Sequence, residues 1–418
     1  MTTLSIDKHV LESLEHLHGD SFYIVDLEAF FDKYHELLQA FRAHYENSQI
    51  AYSYKTNYTP RLCEMVEAWG GYAEVVSRME YDLARRIGVA PERIVFNGPY
   101  KSEQDLMLAL DSGSIVNLDW PYQLAAVKKL ASRLRRAVIG VRVTFAVPGA
   151  RPSRFGFDAE GPQIGAVMEA LRELRNVEIA GLHCHFLTPT RSVEDYRFIT
   201  RRMLDLGEKY FGDSPPRMIN VGGGYFSSMK PELQRQFGVS VPTFQNYAKA
   251  IAAEFAVRFP RGGPQLILEP GIGITATAVK FAARVIDVHV LGVRKLALVA
   301  GSVYDIKPTL NSRNLPVQII AANKEGRSVG GPVDIVGYTC MEHDVLYAGF
   351  EGELRAGDWV IFDNVGAYTN VLRPPFIREC PAMLGYQNGQ FEVLKRGQNF
   401  DDVFGAYSFN GVSARADH

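Results

Sequence analysis

Four groups in this sequence stand at corresponding places, each just after a short apolar run, and each is suited to holding or working on a small polar ligand. Lys55 closes Ala51-Tyr52-Ser53-Tyr54-Lys55. In such company an ammonium is poorly hydrated, desolvation lowers its pKa, and the resulting neutral amine can form a Schiff base with a carbonyl; a rim lysine in a salt bridge is the plainer reading. Glu269 follows Leu266-Ile267-Leu268. A carboxylate held against apolar neighbours needs a cationic partner. That partner is either a lysine or arginine in a buried ion pair or the protonated nitrogen of a pyridine ring. His185 reads either as a satisfied core histidine or as a ring stacked on a planar ligand, and His183, on the same face, is given no role. Gly222-Gly223-Gly224 would let three backbone N–H groups approach an anion, or would simply allow tight packing. GxGxxG is absent and no βαβ unit opens the chain, so a phosphate on a one-ring cofactor fits better than NAD.

These groups need elements that bring them to one place. Short β-rich runs alternate with helical patterns: Ile50–Tyr54, Tyr72–Val76, Ile94–Phe96, Ile115–Leu118, Val138–Val143, Ile179–His185, Met218–Val221 and Leu266–Leu268. Between them Arg61–Ala68, Met79–Ile87, Glu103–Ala109 and Tyr122–Ala131 have apolar residues at helical spacing. That number of strand–helix alternations is what a closed (β/α)8 barrel requires. In such a barrel the loops after the strands share one rim, which puts Lys55, His185, the glycine triplet and Glu269 together. Beyond Glu269 the texture changes to strand-like runs with few helices: Val279–Val290, Leu296–Val299, Val317–Ile320, Val333–Val336, Trp359–Phe362 and Phe391–Leu394. Gly330-Gly331-Pro332 and Ala356-Gly357-Asp358 punctuate them as turns. The expectation is a TIM barrel over 24–270 and an antiparallel β domain built from 1–23 and 271–418, joined by the run Phe22–Val25.

Composition narrows the function. With 45 Lys+Arg against 47 Asp+Glu over 418 residues the net charge is −2, which argues against nucleic-acid or anionic-membrane binding. Hydrophobic residues at 47% and charged residues at 22% exclude a disordered or low-complexity chain. A chain this long is expected to form two domains. Cys63, Cys184, Cys340 and Cys380 lack CxxC spacing, so neither a disulfide frame nor a metal site is expected, and the chain reads as cytoplasmic. Met1–His9 has no apolar signal core, and no run approaches a membrane span.

The chain resembles the fold type III pyridoxal-5′-phosphate (PLP) decarboxylases, the group of the ornithine, arginine and diaminopimelate enzymes. The resemblance covers nearly the whole chain and rests on motifs in the family's order. They are Tyr52-Ser53-Tyr54-Lys55-Thr56-Asn57, Ile94-Val95-Phe96-Asn97-Gly98-Pro99-Tyr100-Lys101, Val221-Gly222-Gly223-Gly224-Tyr225, Glu269-Pro270-Gly271, Gly337-Tyr338-Thr339-Cys340 with Asp344, and Gly366-Ala367-Tyr368-Thr369. It implies an alanine racemase-like barrel in which Lys55 tethers PLP, His185 stacks on its ring and Glu269 keeps the ring nitrogen protonated. It further implies that Gly222, Gly223, Gly224, Tyr368 and Thr188 hold the phosphate, and that Glu80 is an active-site carboxylate. Cys340, the proton donor, and Asp344 would reach the barrel of a partner subunit, making a homodimer with shared sites. A carboxylate facing the ring nitrogen deepens the electron sink and favours decarboxylation over racemisation, since alanine racemases place an arginine there.

Two departures stand out. Relatives usually continue Glu-Pro-Gly with an arginine that helps hold an anion, where this chain has Ile272. Basic-amino-acid decarboxylases follow the cysteine with an acidic residue and, in ornithine-type enzymes, add an aspartate on a preceding loop; here those places hold Met341 and, near it in alignment, Ser312-Arg313. The change of charge would repel a distal ammonium and attract a distal carboxylate. The substrate tail is therefore expected to be acidic or an amide conjugate, as in the siderophore and natural-product branch. Diaminopimelate or a basic amino acid is the alternative, and Glu342, one residue out of register, would still meet an amine. A racemase and a catalytically dead relative rank below these.

Overall fold

The structure is a computed structural model that describes residues 4, 6–321 and 327–409. Parts of the Met1–His9 stretch and of the expected segments 1–23 and 271–418 lie outside the described residues. The chain divides into two compact units, Phe30–Ala276 and Met1–Ala29 with Thr277–His418.

The unit Phe30–Ala276 is a closed parallel barrel. Its strands are Ser48–Ser53, Tyr72–Val75, Ile94–Phe96, Ile115–Leu118, Ala137–Thr144, Val177–His183, Met218–Asn220 and Gln265–Leu268. Neighbours pair in parallel, and the ring closes where Leu266 pairs with Ser48 and where Ile115 pairs with Val138. The strands are buried almost throughout, as parallel strands sealed by helices outside and packed side chains inside must be. Ala51, Val95, Ile115, Val138, Ala180, Met218 and Ile267, contributed by seven of the strands, form one buried hydrophobic cluster. The expected amphipathic segments form helices Pro60–Ala68, Arg78–Arg86, Glu103–Asp111 and Pro121–Leu130. Two begin with proline in the first turn, and Ser77 and Ser102 cap the other two with their side-chain oxygens. Among the described residues no helix is long and apolar enough to cross a membrane.

The second unit is a sheet ordered Val345–Phe350, Val333–Val336, Arg294–Val299, Val279–Leu291, Ser21–Asp26, Ala382–Gln387 and Gln390–Lys395, with Trp359–Phe362 and Val317–Ile320 branching from the long strand. It is mostly antiparallel, but Ser21–Asp26 runs parallel to Ala382–Gln387 and Arg294–Val299 parallel to Val333–Val336. Phe22, Ile24, Trp359, Ile361 and Leu384 pack under Leu11 and Leu14 of the helix Lys8–His18. Ile24 and Val25 pair with Lys280 and Val279 in this sheet, whereas the short helix Ile272–Thr275 falls within Phe30–Ala276. The unit boundaries thus lie a few residues later than 24 and 270.

Candidate active site

At the end of the first barrel strand the chain turns through a 3-10 helix, Tyr54–Thr56, that presents Lys55. The Lys55 ammonium donates to Oε2 of Glu74 on the second strand, an ion pair of the kind the plainer reading of this lysine expects. Oε1 of Glu74 accepts from Nδ2 of Asn97 at 2.9 Å, and the same nitrogen donates to Oε1 of Glu269 at 2.7 Å. Nδ2 of Asn220 donates to that oxygen as well, at 2.7 Å. Lys55 and Glu269 therefore belong to one polar network running across the barrel mouth.

Glu269 is only 2% exposed. Burial would raise its pKa, but the charges of His183 and Lys55 outweigh it and hold the carboxyl ionised. His183 Nε2 lies 3.4 Å from Oε2 and His185 Nδ1 lies 3.8 Å from it, yet neither contact has hydrogen-bond geometry, and Oε2 is buried without a hydrogen bond. Gly223 N–H donates to Nδ1 of His185 at 3.2 Å. This shorter contact identifies Nδ1 as an acceptor, so the ring is read as neutral; burial, which pushes its pKa down, favours the same state.

The glycine turn is fixed by its surroundings. Gly222 adopts φ +72°, its N–H donates to Oδ1 of Asn220 at 2.9 Å, and its carbonyl accepts from Glu269 N–H at 2.8 Å. A Cβ at Gly223 would lie 1.8 Å from the Glu269 carbonyl oxygen, so only glycine permits that approach. Thr188 is buried, and its hydroxyl accepts from Arg191 N–H at 3.1 Å. Glu80 sits in the first turn of its helix and accepts from Val76 N–H at 2.7 Å. Burial, with Glu74 nearby, raises its pKa to about 7. A cavity of about 610 Å³ opens beside His185, lined by Arg142, Arg151, Arg154 and Phe155 and, among the described residues, by no carboxylate. Arg142 is anchored through Asp119 at 2.8 Å, and its guanidinium and that of Arg154 lie 4.6 and 4.1 Å from the Phe155 ring.

Cys340, Met341, Asp344, Arg313 and Tyr368 belong to the other unit. Cys340 and Met341 are exposed on the loop after Val333–Val336. Asp344, expected from the resemblance to reach the barrel of a partner subunit, is 3% exposed. One oxygen accepts from the Ser302 hydroxyl and Val303 N–H at 3.1 and 2.6 Å, the other from Thr339 N–H and hydroxyl at 3.0 and 2.6 Å. All of its acceptor capacity goes to shaping the loop that displays Cys340. Arg313 is half-buried, with its carbonyl accepting from Lys307 Nζ at 2.9 Å, and Tyr368 is half-buried at φ +60°.

Sequence reasoning missed Glu74, Asn97, Asn220 and the role of His183. The available signal was polarity inside otherwise apolar strands: Glu74 between Ala73 and Val75, and Asn220 two residues ahead of the glycine triplet.

The residues present suit PLP: an amine at the rim, a neutral imidazole, an ionised carboxylate with one oxygen unsatisfied, and a glycine turn that a side chain would fill. Comparison with known proteins points the same way. The family described as "Pyridoxal-dependent decarboxylase, pyridoxal binding domain" matches residues 31–276. Diaminopimelate decarboxylase of Aquifex aeolicus (strain VF5) is 26% identical over 386 residues, 88% of this chain and 88% of that protein. The L-glutamyl-(BtrI acyl-carrier protein) decarboxylase of Niallia circulans is 26% identical over 380 residues, 85% of this chain and 86% of that protein. A crystal structure of diaminopimelate decarboxylase from M. jannaschii superposes with a TM-score of 0.82 at 23% identity, covering 96% of this chain and 94% of that one.

Proposed function

Because the chain belongs to the pyridoxal-dependent decarboxylases, fold type III enzymes that use PLP, we propose that it decarboxylates an amino acid with a carboxylate at its distal end, diaminopimelate being the first candidate. When bound, PLP supplies a ring that accepts the electron pair left by departing carbon dioxide. Lys55 would tether it, His185 would lie against its ring, and Glu269 Oε2 would face the ring nitrogen, where an ionised carboxylate favours a protonated pyridine. Gly222, Gly223, Gly224 and Thr188 would hold the phosphate, with Tyr368. Glu80, titrating near neutrality, would move or hold a proton beside Lys55. Cys340 would return a proton to the carbon that lost its carboxylate, which we place in a homodimer whose β unit completes the partner's barrel site. The scattered free cysteines favour a cytoplasmic location.

The observation behind the substrate assignment is the acid-free cavity beside His185, with Arg142, Arg151 and Arg154 on its walls. Diaminopimelate has a distal carboxylate for these cations and a distal ammonium that the exposed Glu342 would meet. The relatives reported above favour this alternative over the siderophore-type conjugate, which none of their names supports. The glutamyl-carrier decarboxylase among them keeps a second reading open, in which the acidic or amide end belongs to a conjugate.

Carbon dioxide release from meso-diaminopimelate, ornithine, lysine, arginine and a glutamyl thioester tests the assignment. We expect kcat/KM for diaminopimelate to exceed that for ornithine or lysine by about tenfold or more, the worth of one unpaired buried charge. A preference for ornithine or lysine would refute the acidic tail, and turnover of the thioester alone would move the assignment to the conjugate. The tether is tested separately: visible absorbance of bound cofactor is expected in the native protein and lost in Lys55→Ala. Mixed Lys55→Ala and Cys340→Ala subunits test the shared site, with recovery to about a quarter of native activity expected for randomly exchanged dimers.

A further inference from the structure

The resemblance implies an arginine after Glu-Pro-Gly, and this chain has Ile272 there. The glycine turn and Thr188 offer only uncharged donors, whereas a phosphate dianion is gripped most strongly by a guanidinium. One arginine elsewhere on this rim is placed to compensate. Arg191 ends the loop that carries Thr188, and its backbone is fixed on both sides: its N–H donates to the Thr188 hydroxyl at 3.1 Å, and its carbonyl accepts from the Tyr247 hydroxyl at 2.8 Å. It holds φ +49°, a left-handed conformation that a residue with a side chain keeps only where neighbours impose it.

Those neighbours tie the loop to the glycine turn. The Tyr196 hydroxyl donates to the Gly223 carbonyl at 2.9 Å, and Tyr196 contacts both Tyr225 and Tyr247 with ring centroids 5.1 Å apart. The Arg191 guanidinium lies 4.9 Å from the ring of Phe226, two residues past Gly224. Among the described residues it has no ion-pair partner. Nearby Asp195 accepts instead from Thr190 and Ser192. The helix that begins at Ile272 backs onto the same corner, since a Cβ on Gly273 would lie 3.3 and 3.6 Å from the carbonyls of Tyr225 and Phe226. Burial raises the Tyr247 pKa to about 12 against the opposing pull of the Arg191 charge, which agrees with a guanidinium close to this corner.

We propose that Arg191 supplies the cation of the phosphate cradle that Ile272 cannot, by reaching the same corner from the opposite loop. The inference rests on the glycine-turn cradle proposed above. Its test is cofactor affinity, measured by titrating the apoprotein with PLP and, in parallel, with pyridoxal, which lacks the phosphate. Arg191→Gln keeps the φ requirement and removes the charge. It is expected to weaken PLP binding about tenfold or more, to leave pyridoxal binding unchanged, and to reduce competition by inorganic phosphate. Adding Ile272→Arg to Arg191→Gln is expected to restore affinity, a result that a folding defect in the single variant could not produce. Equal weakening for PLP and pyridoxal, or no rescue by Ile272→Arg, overturns the proposal. Thr188→Val separates it from its premise: if this variant weakens PLP binding while Arg191→Gln does not, the cradle stands without Arg191, and if neither does, both fail.

Discussion

Glu269 and Asp344 are both buried carboxylates, 2% and 3% exposed, one in each unit of the molecule. Asp344 accepts hydrogen bonds on both oxygens from groups of its own loop surroundings. Glu269 saturates Oε1 with Asn97 and Asn220 and leaves Oε2 without a hydrogen bond, with two imidazoles beside it. Unsatisfied buried acceptors are costly, so one that persists marks a place for a ligand, whereas a saturated carboxylate is scaffolding. Glu80 stands between them, with one N–H bond and a pKa raised to about 7.

The comparison is broken most directly at Glu269. Glu269→Gln is expected to lower the decarboxylation rate by about 10²–10⁴-fold with little change in thermal stability. A large loss of Tm with normal activity in the surviving protein would make Glu269 structural after all.

The next largest effect is expected at Glu80 and depends on pH. Its folded pKa, about 7, lies above the ordinary value of 4.5, so folding favours the protonated form. That contribution is complete below about pH 4.5 and is lost as pH rises through 7. Glu80→Gln, which keeps an acceptor for Val76 N–H, should therefore raise stability by up to about 3 kcal/mol at pH 8 and change it little near pH 4.5. Equal Tm values for the two proteins across that range would disprove the raised pKa.

Asp344→Asn sharpens the other side of the contrast. It is expected to cost about 1–3 kcal/mol of stability, because an amide nitrogen replaces one acceptor facing N–H and O–H donors. Cys340→Ala on the same loop, being exposed, should shift stability by less than about 0.5 kcal/mol while altering turnover or product. If Asp344→Asn instead raises KM at unchanged Tm, its reading as scaffold is wrong. The smallest effect is expected at Arg154, where replacement by alanine should raise KM several-fold for acidic-tailed substrates and not for ornithine, with kcat retained.

Much of the site was legible because barrel strands announce their ends. Lys55, His185, Gly222–Gly224 and Glu269 each follow an apolar run, and parallel pairing obliges those ends to meet at one rim. Glu74 and Asn97 were not legible, since each looks like an interruption in its own strand and gains meaning only from the register that sets Glu74 beside Val95 and Val75 beside Phe96. Ala382–Gln387 was missed as a strand because Ala-Met-Leu-Gly-Tyr-Gln is poor in β-branched residues; its long-range parallel pairing with Ser21–Asp26 decides it. Val345–Phe350 has an irregular register with Val333–Val336, which blurs the period-two signal.

The sequence by itself determined the alternation that closes the barrel and the residue types at its strand ends. Only the tertiary structure decided which carboxylates are satisfied, which arginines share a cavity, and that Asp344 faces its own loop. Periodicity along a chain reports which side of an element is buried. Hydrogen bonding and charge compensation depend on atoms brought within a few ångströms from distant positions, and those distances exist only after folding.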